Sequence, residues 1–209
     1  DFYNRRFTEI LDKGFAYEAD IQRKIQRRSG FPAARRTQTK RGKISRTGKY
    51  EAVSVGCNLL AIGIILVCLF GLYLRANMQA FSLIGACMTF LSLYPHEFLH
   101  AVCFKKEVYL YTNWSQGLLF VVGTEDMSKA RFIVMSLLPN LVFGFLPYLI
   151  FLLFPQCNGL GTFGAIAIGM GAGDYLNVFF ALTQMPKGAR TYLYGFHSYW
   201  YMPQNNQVS

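Results

Sequence analysis

Residues 96–100 read His-Glu-Phe-Leu-His, the HExxH spacing. On a helix, side chains four residues apart share a face, so both imidazoles can reach one metal ion. Glu97 follows the first histidine and can sit beside a metal-bound water to take its proton. Zinc favours such ligands in catalytic sites with three protein donors and one open position. It lowers the pKa of bound water to about 7, so hydroxide becomes available at neutral pH. In a soluble helix these five residues could be a solvated polar turn. Here they lie in a long apolar run, where ionisable groups are costly and mark function.

Four apolar stretches must position this chemistry, approximately Ala52–Leu74, Ala80–Phe104, Phe132–Phe154 and Gly159–Leu182. Each has the ~20 residues needed to cross a hydrocarbon core of ~30 Å. Arg75 is the only cation in the short connections 75–79 and 155–158. The linker before span one, Lys105, Lys106, Lys129, Arg131, Lys187 and Arg190 all fall on the opposite side. The positive-inside rule therefore places both termini and the 105–131 connection in the cytoplasm.

A third ligand is expected elsewhere in the spans, whose interiors hold only His96, Glu97, His100 and Asp174 as ionisable groups. From Ala80 to His96 is 16 residues and from Gly159 to Asp174 is 15, both counted inward from the outer face. At ~1.5 Å per residue these are descents of about 24 and 22 Å, so the groups reach the same level in the cytoplasmic half. Gly169, Gly171 and Gly173 would let span four approach span two closely. Asp174 is thus assigned as the third zinc ligand, with a carboxylate capping a broken helix as the plainer reading. Asn177, one turn on, could orient Asp174 or hold a substrate carbonyl. Asn140, after Pro139 in span three, could bind substrate backbone or stabilise an oxyanion. Pro139 also leaves backbone carbonyls unpaired, and a structural kink is the plainer reading there.

The composition fits a membrane protein: 209 residues, 53% hydrophobic and only 15% charged, with a positive mean hydropathy. Charge is segregated. Residues 1–49 hold 14 of the 21 Lys and Arg against five acidic residues, so they carry +9 of the net +10. Such a basic head suits an anionic lipid surface or nucleic acid. The apolar body decides for lipid, and residues 31–49 have no interleaved aromatics to support nucleic acid. Some spacing in residues 1–30 suits an amphipathic helix, and residues 31–49 read as a polybasic linker. The chain starts at Asp1 without a Met and shows no signal-peptide pattern, as expected of a processed or partial chain.

Cys57, Cys68, Cys87, Cys103 and Cys157 form no CxxC and read as apolar packing residues. Val108–Thr112 and Leu118–Val122 flank the turn-forming residues 113–117, which predicts a β-hairpin at the cytoplasmic surface, partly re-entrant. Residues 124–128 offer capping groups for span three. His197 lies in an aromatic tail, residues 191–209, expected at the membrane interface and outside the site.

The chain resembles the membrane-embedded zincins: site-2 proteases and, more closely, a bacterial membrane family of zincin peptidases. The resemblance covers about residues 52–190. It rests on HEFLH in a spanning helix, the following hairpin, Leu138-Pro139-Asn140, and GDYLN ahead of Met185-Pro186-Lys187-Gly188. It implies zinc held by His96, His100 and Asp174, with Glu97 as general base and a peptide presented as an extended strand beside the hairpin. It also implies a bacterial cell membrane. One difference is that Asp174 is followed by Tyr175, so the Leu-Asp-Gly signature of site-2 proteases is absent.

The expected fold is mainly α: a polytopic membrane protein with four transmembrane helices and a cytoplasmic or re-entrant β-hairpin between spans two and three. The domains are a basic segment, 1–50, a four-span zincin domain, 51–190, and the tail. The expected activity is peptide-bond hydrolysis at the cytoplasmic interface, with one zinc per chain. Expected partners are a peptide or membrane-protein substrate and anionic lipid, without nucleic acid, and a homo-oligomer is compatible with the sequence. A metal transporter or sensor, or a silent scaffold, are the rival classes.

Overall fold

The computed structural model describes residues 8–10, 41–43, 50–76, 81–106, 108–113, 118–123, 125–194 and 197–203. The chain is mainly helical, with two small sheets. In order it forms β1 (Thr8–Ile10), β2 (Arg41–Lys43), α1 (Tyr50–Ala76), α2 (Leu83–Leu91), α3 (Leu93–Val102), β3 (Val108–Asn113), β4 (Leu118–Gly123) and β5 (Met127–Ser128). Then follow α4 (Lys129–Pro139), a π-helical turn (Asn140–Phe145), α5 (Leu146–Leu153), α6 (Asn158–Met170), α7 (Ala172–Gln184), β6 (Arg190–Tyr194) and β7 (His197–Tyr201). These residues cluster into two compact units: 46–100 with 134–179, and 1–45 with 101–133 and 180–209.

The first unit is helical. Among the described residues, two helices are long and apolar enough to cross a membrane, Val55–Ala76 and Lys129–Leu153. The pair α6 and α7, bent by 47°, makes a third if it is one span. The second predicted span is interrupted, and neither α2 nor α3 alone is long enough to cross. Pro95 explains the interruption, because it has no N–H to give the Leu91 carbonyl one turn back. The hydrogen bonds resume around the break, from Ser92 N to Met88 O at 3.0 Å and from His96 N to Ser92 O at 2.8 Å.

Lipid tails are as apolar as leucine, so helices in a membrane associate by close packing of small residues. α6 is built that way. Gly85 of α2 lies against the Gly159 carbonyl, and Gly169 of α6 lies against Ile65 and the Ala61 carbonyl of α1. Leu72, Phe151 and Ala165 form a fully buried cluster edged by Cys68 and Tyr148. Elsewhere the helices turn large apolar side chains outward: Leu59, Leu66, Val67 and Leu74 on α1, and Leu83 and Ile84 on α2. Exposed apolar surface of this extent, on helices long enough to cross a bilayer, fits a membrane protein.

The second unit carries the sheets. β3 and β4 form the predicted hairpin, with Val108 opposite Gly123 and Asn113 opposite Leu118. β1 pairs in parallel with β3, Thr8 beside Tyr109. The described part of residues 1–30 is therefore extended where the sequence suggested a helix, and the rest of that segment lies outside the described residues. The β6–β7 hairpin of the tail belongs to a four-stranded sheet in the order β2-β7-β6-β5, with Tyr192 and Tyr199 stacked across the hairpin. Gly188 turns the chain into β6 at φ 83°, a conformation that disfavours any Cβ. Ser128 caps α4, its hydroxyl accepting from Arg131 N at 3.3 Å. Arg131 does not reach outward. Its guanidinium pairs with the buried Glu125 and donates from Nε to the Cys103 carbonyl at 2.9 Å, closing the end of α3.

Candidate metal centre

Every residue of the centre lies in the helical unit. His96, Glu97 and His100 lie within five residues of α3, and one turn brings the two imidazole rings to 5.0 Å between centroids, edge to face. The ligand atoms of His96, Glu97 and His100 all lie within 4.8 Å of one another.

Asp174 stands in the first turn of α7, just past the bend at Gly171. Its carboxylate meets both imidazoles, Oδ2 at 3.3 Å from His96 Nε2 and Oδ1 at 3.5 Å from His100 Nε2. The start of a helix also favours a negative charge there. Either carboxylate could complete a ligand set with the histidines. Around a tetrahedral ion with ligand bonds of ~2.0–2.1 Å, donor atoms stand ~3.3–3.4 Å apart. Oδ2 lies at that spacing from His96 Nε2 and Oδ1 slightly beyond it from His100 Nε2, so the carboxylate faces both imidazoles at close range. The donor types and their spacing fit zinc. The three side chains keep relative exposures of 19%, 10% and 16% for His96, His100 and Asp174, so the centre is not sealed.

Span three supplies the supports. Pro139 has no N–H for the Met135 carbonyl, and that carbonyl lies 2.8 Å from His100 Nδ1. A carbonyl only accepts, so Nδ1 carries a proton and Nε2 is the nitrogen turned toward Asp174. Asn140 follows at the opening of the π-helical turn and is 1% exposed. Its Nδ2 donates to Asp174 Oδ2 at 2.8 Å and to the Ser136 carbonyl at 3.2 Å. Both amide hydrogens are thus engaged, which leaves none for the substrate or oxyanion suggested by the sequence. Asn140 thus steadies the Asp174 carboxylate, and Asn177 lies half-buried one turn further along α7.

The glycines also act differently from the expectation. Gly171 gives room to Asn140, since a Cβ there would collide with its Oδ1, whereas Gly173 has open space around it. Span four makes these close approaches to spans three and one. Tyr175 was not foreseen: its hydroxyl donates to the Ile168 carbonyl at 3.0 Å and lies 3.5 Å from Asn140 Oδ1. Its only sequence signal was its place beside Asp174.

Residues 89–190, which contain the whole centre, match a family described as "Putative zincin peptidase". The match supports a zincin-like peptidase family over these residues, and it does not single out the site-2 proteases. No curated protein and no solved structure matches the chain.

Proposed function

We propose, with the zincin-like family of residues 89–190 as the premise, that this protein is an intramembrane zinc metalloprotease that cleaves peptide bonds near the cytoplasmic interface. The observation that carries the reading is Asp174, standing within 3.3 and 3.5 Å of two imidazole nitrogens although 74 residues separate it from His100 in the chain. His96, His100 and Asp174 hold one zinc. Zinc, when bound, acidifies a coordinated water and polarises a carbonyl. Glu97 takes the proton of the attacking water and returns it to the leaving amine, as a general base and then a general acid. The Met135 carbonyl fixes the His100 ring, and Asn140 fixes Asp174. In this reading α2 and α3 together make one interrupted crossing and α6 with α7 another, giving four spans with both termini cytoplasmic in a bacterial cell membrane. Residues 1–50 face anionic lipid. A substrate helix must unwind locally, because its own hydrogen bonds hide its carbonyls.

The test uses purified protein in lipid nanodiscs, with metal analysis and with cleavage of unfolded casein and of single-span peptides. One zinc per chain, and cleavage lost on chelation and regained with zinc, are expected. Cleavage that survives complete metal removal overturns the proposal. A transporter would bind the metal and move it without cutting any peptide.

A further inference from the structure

Asn140 is a polar side chain with 1% exposure in a membrane helix, which is costly unless every polar atom is used. Its amide engages Asp174 and Ser136, as described, and its Oδ1 faces the Tyr175 hydroxyl at 3.5 Å. Two features serve this one placement. The π-helical turn opens at Asn140, a widening of the helix that recurs at functional sites. Gly171 leaves the space that the amide occupies. Its φ of −72° and ψ of 5° would admit alanine, so the absent side chain there answers to space and not to backbone conformation.

We infer that Asn140 is a positioning residue that presets the Asp174 carboxylate for the metal. Resting on the zinc reading above, the inference deepens it: span three contributes no ligand yet holds the one donor that comes from far along the chain. The bond from Asn140 goes to Oδ2. It takes up one oxygen and fixes the rotation of the carboxylate, leaving Oδ1 directed to the His100 side of the centre. Without it, Asp174 would have to stop rotating as the ion enters, and that ordering entropy would be subtracted from affinity.

Zinc affinity of the metal-free full-length protein, measured by chelator competition, is the test, together with the absorption spectrum of bound cobalt and the thermal midpoint of the apoprotein. Asn140→Leu keeps the volume and removes the donor. A 10–100-fold loss of zinc affinity is expected, the usual effect of losing a partner of a ligand, with the tetrahedral cobalt spectrum retained and the apo midpoint unlowered. Gly171→Ala leaves Asn140 intact and displaces its amide, so it reproduces the loss even if Asn140→Leu does not fold. The double variant should be little worse than either single one, because both break the same contact. Unchanged affinity in Asn140→Leu or Gly171→Ala, with zinc lost in Asp174→Ala, overturns the positioning role and leaves the metal site standing. Zinc affinity indifferent to Asp174→Ala as well overturns both the inference and the ligand assignment beneath it.

Discussion

His100 and Met135 are joined by a hydrogen bond of 2.8 Å, from Nδ1 to a backbone carbonyl that Pro139 leaves without its helical donor. A residue usually regarded as a flaw in a spanning helix thereby creates the acceptor that orients a candidate ligand. Pro139→Ala restores an N–H one turn from the Met135 carbonyl. The helix should become more stable while the imidazole loses part of its anchor. The carbonyl has two lone pairs and can serve both donors, so the loss of zinc affinity is expected to stay within about tenfold. Chelator competition and thermal unfolding read the two effects separately, and a variant that binds zinc as tightly as before would show that the carbonyl does not position His100.

Glu97 lies beside the histidines and is not needed for a ligand set completed by Asp174. Glu97→Gln keeps shape and removes the base. Cleavage should fall by 10²–10⁴-fold, the usual worth of general acid–base catalysis, with zinc content unchanged. Peptide-cleavage rates and metal analysis on the same preparation check this. Loss of zinc along with activity would instead make Glu97 a ligand.

Much of this arrangement was legible in the sequence, for physical reasons. HExxH places two imidazoles on one face wherever the backbone is helical, and an aspartate in an apolar run stands out because burial there is costly. The β3–β4 hairpin was legible because its pairing is local, two β-rich runs around a turn. Hydropathy measures how far an apolar run extends and says nothing about whether its hydrogen bonds are continuous. The break at Ser92 was therefore hidden although Pro95 stood in plain view, while a kink at Pro139 and a broken helix before Asp174 were legible as readings without their geometry. The partners of Asn140 and Gly171, and the pairing of β1 with β3, depend on contacts far apart in the chain, which no local pattern encodes.

In the sheet unit, Glu125 is buried and its carboxylate serves both Arg131 and Lys105 N, the latter at 2.9 Å. Arg131→Met strands that carboxylate and frees the Cys103 carbonyl. Removing one member of a buried pair costs about 3 kcal/mol, to be read as a lowered midpoint in a detergent-unfolding titration. Adding Glu125→Leu should recover part of that loss, since no uncompensated charge remains. A double variant that shows the full sum of the single losses would indicate that the two side chains do not act as a pair.

The 47° bend between α6 and α7 is compatible with a broken crossing or with a re-entrant loop, and the two differ in where their ends lie. Gln156 precedes α6 and Lys187 follows α7, and both are exposed. In a protein whose native cysteines are replaced by serine, Gln156→Cys should react with a membrane-impermeant maleimide in intact cells. Lys187→Cys should react only after the membrane is opened. That outcome follows from charge: the 155–158 connection carries no cation, whereas Lys187 and Arg190 come after α7 and favour the cytoplasmic side. It would place Asp174 on a helix entering from the outer face, with a path of ~22 Å to the level of His96. If both cysteines react from one side, the bent pair re-enters the face it left. The depth match between Asp174 and His96 would then have to come from the loop, and the chain would have one crossing fewer.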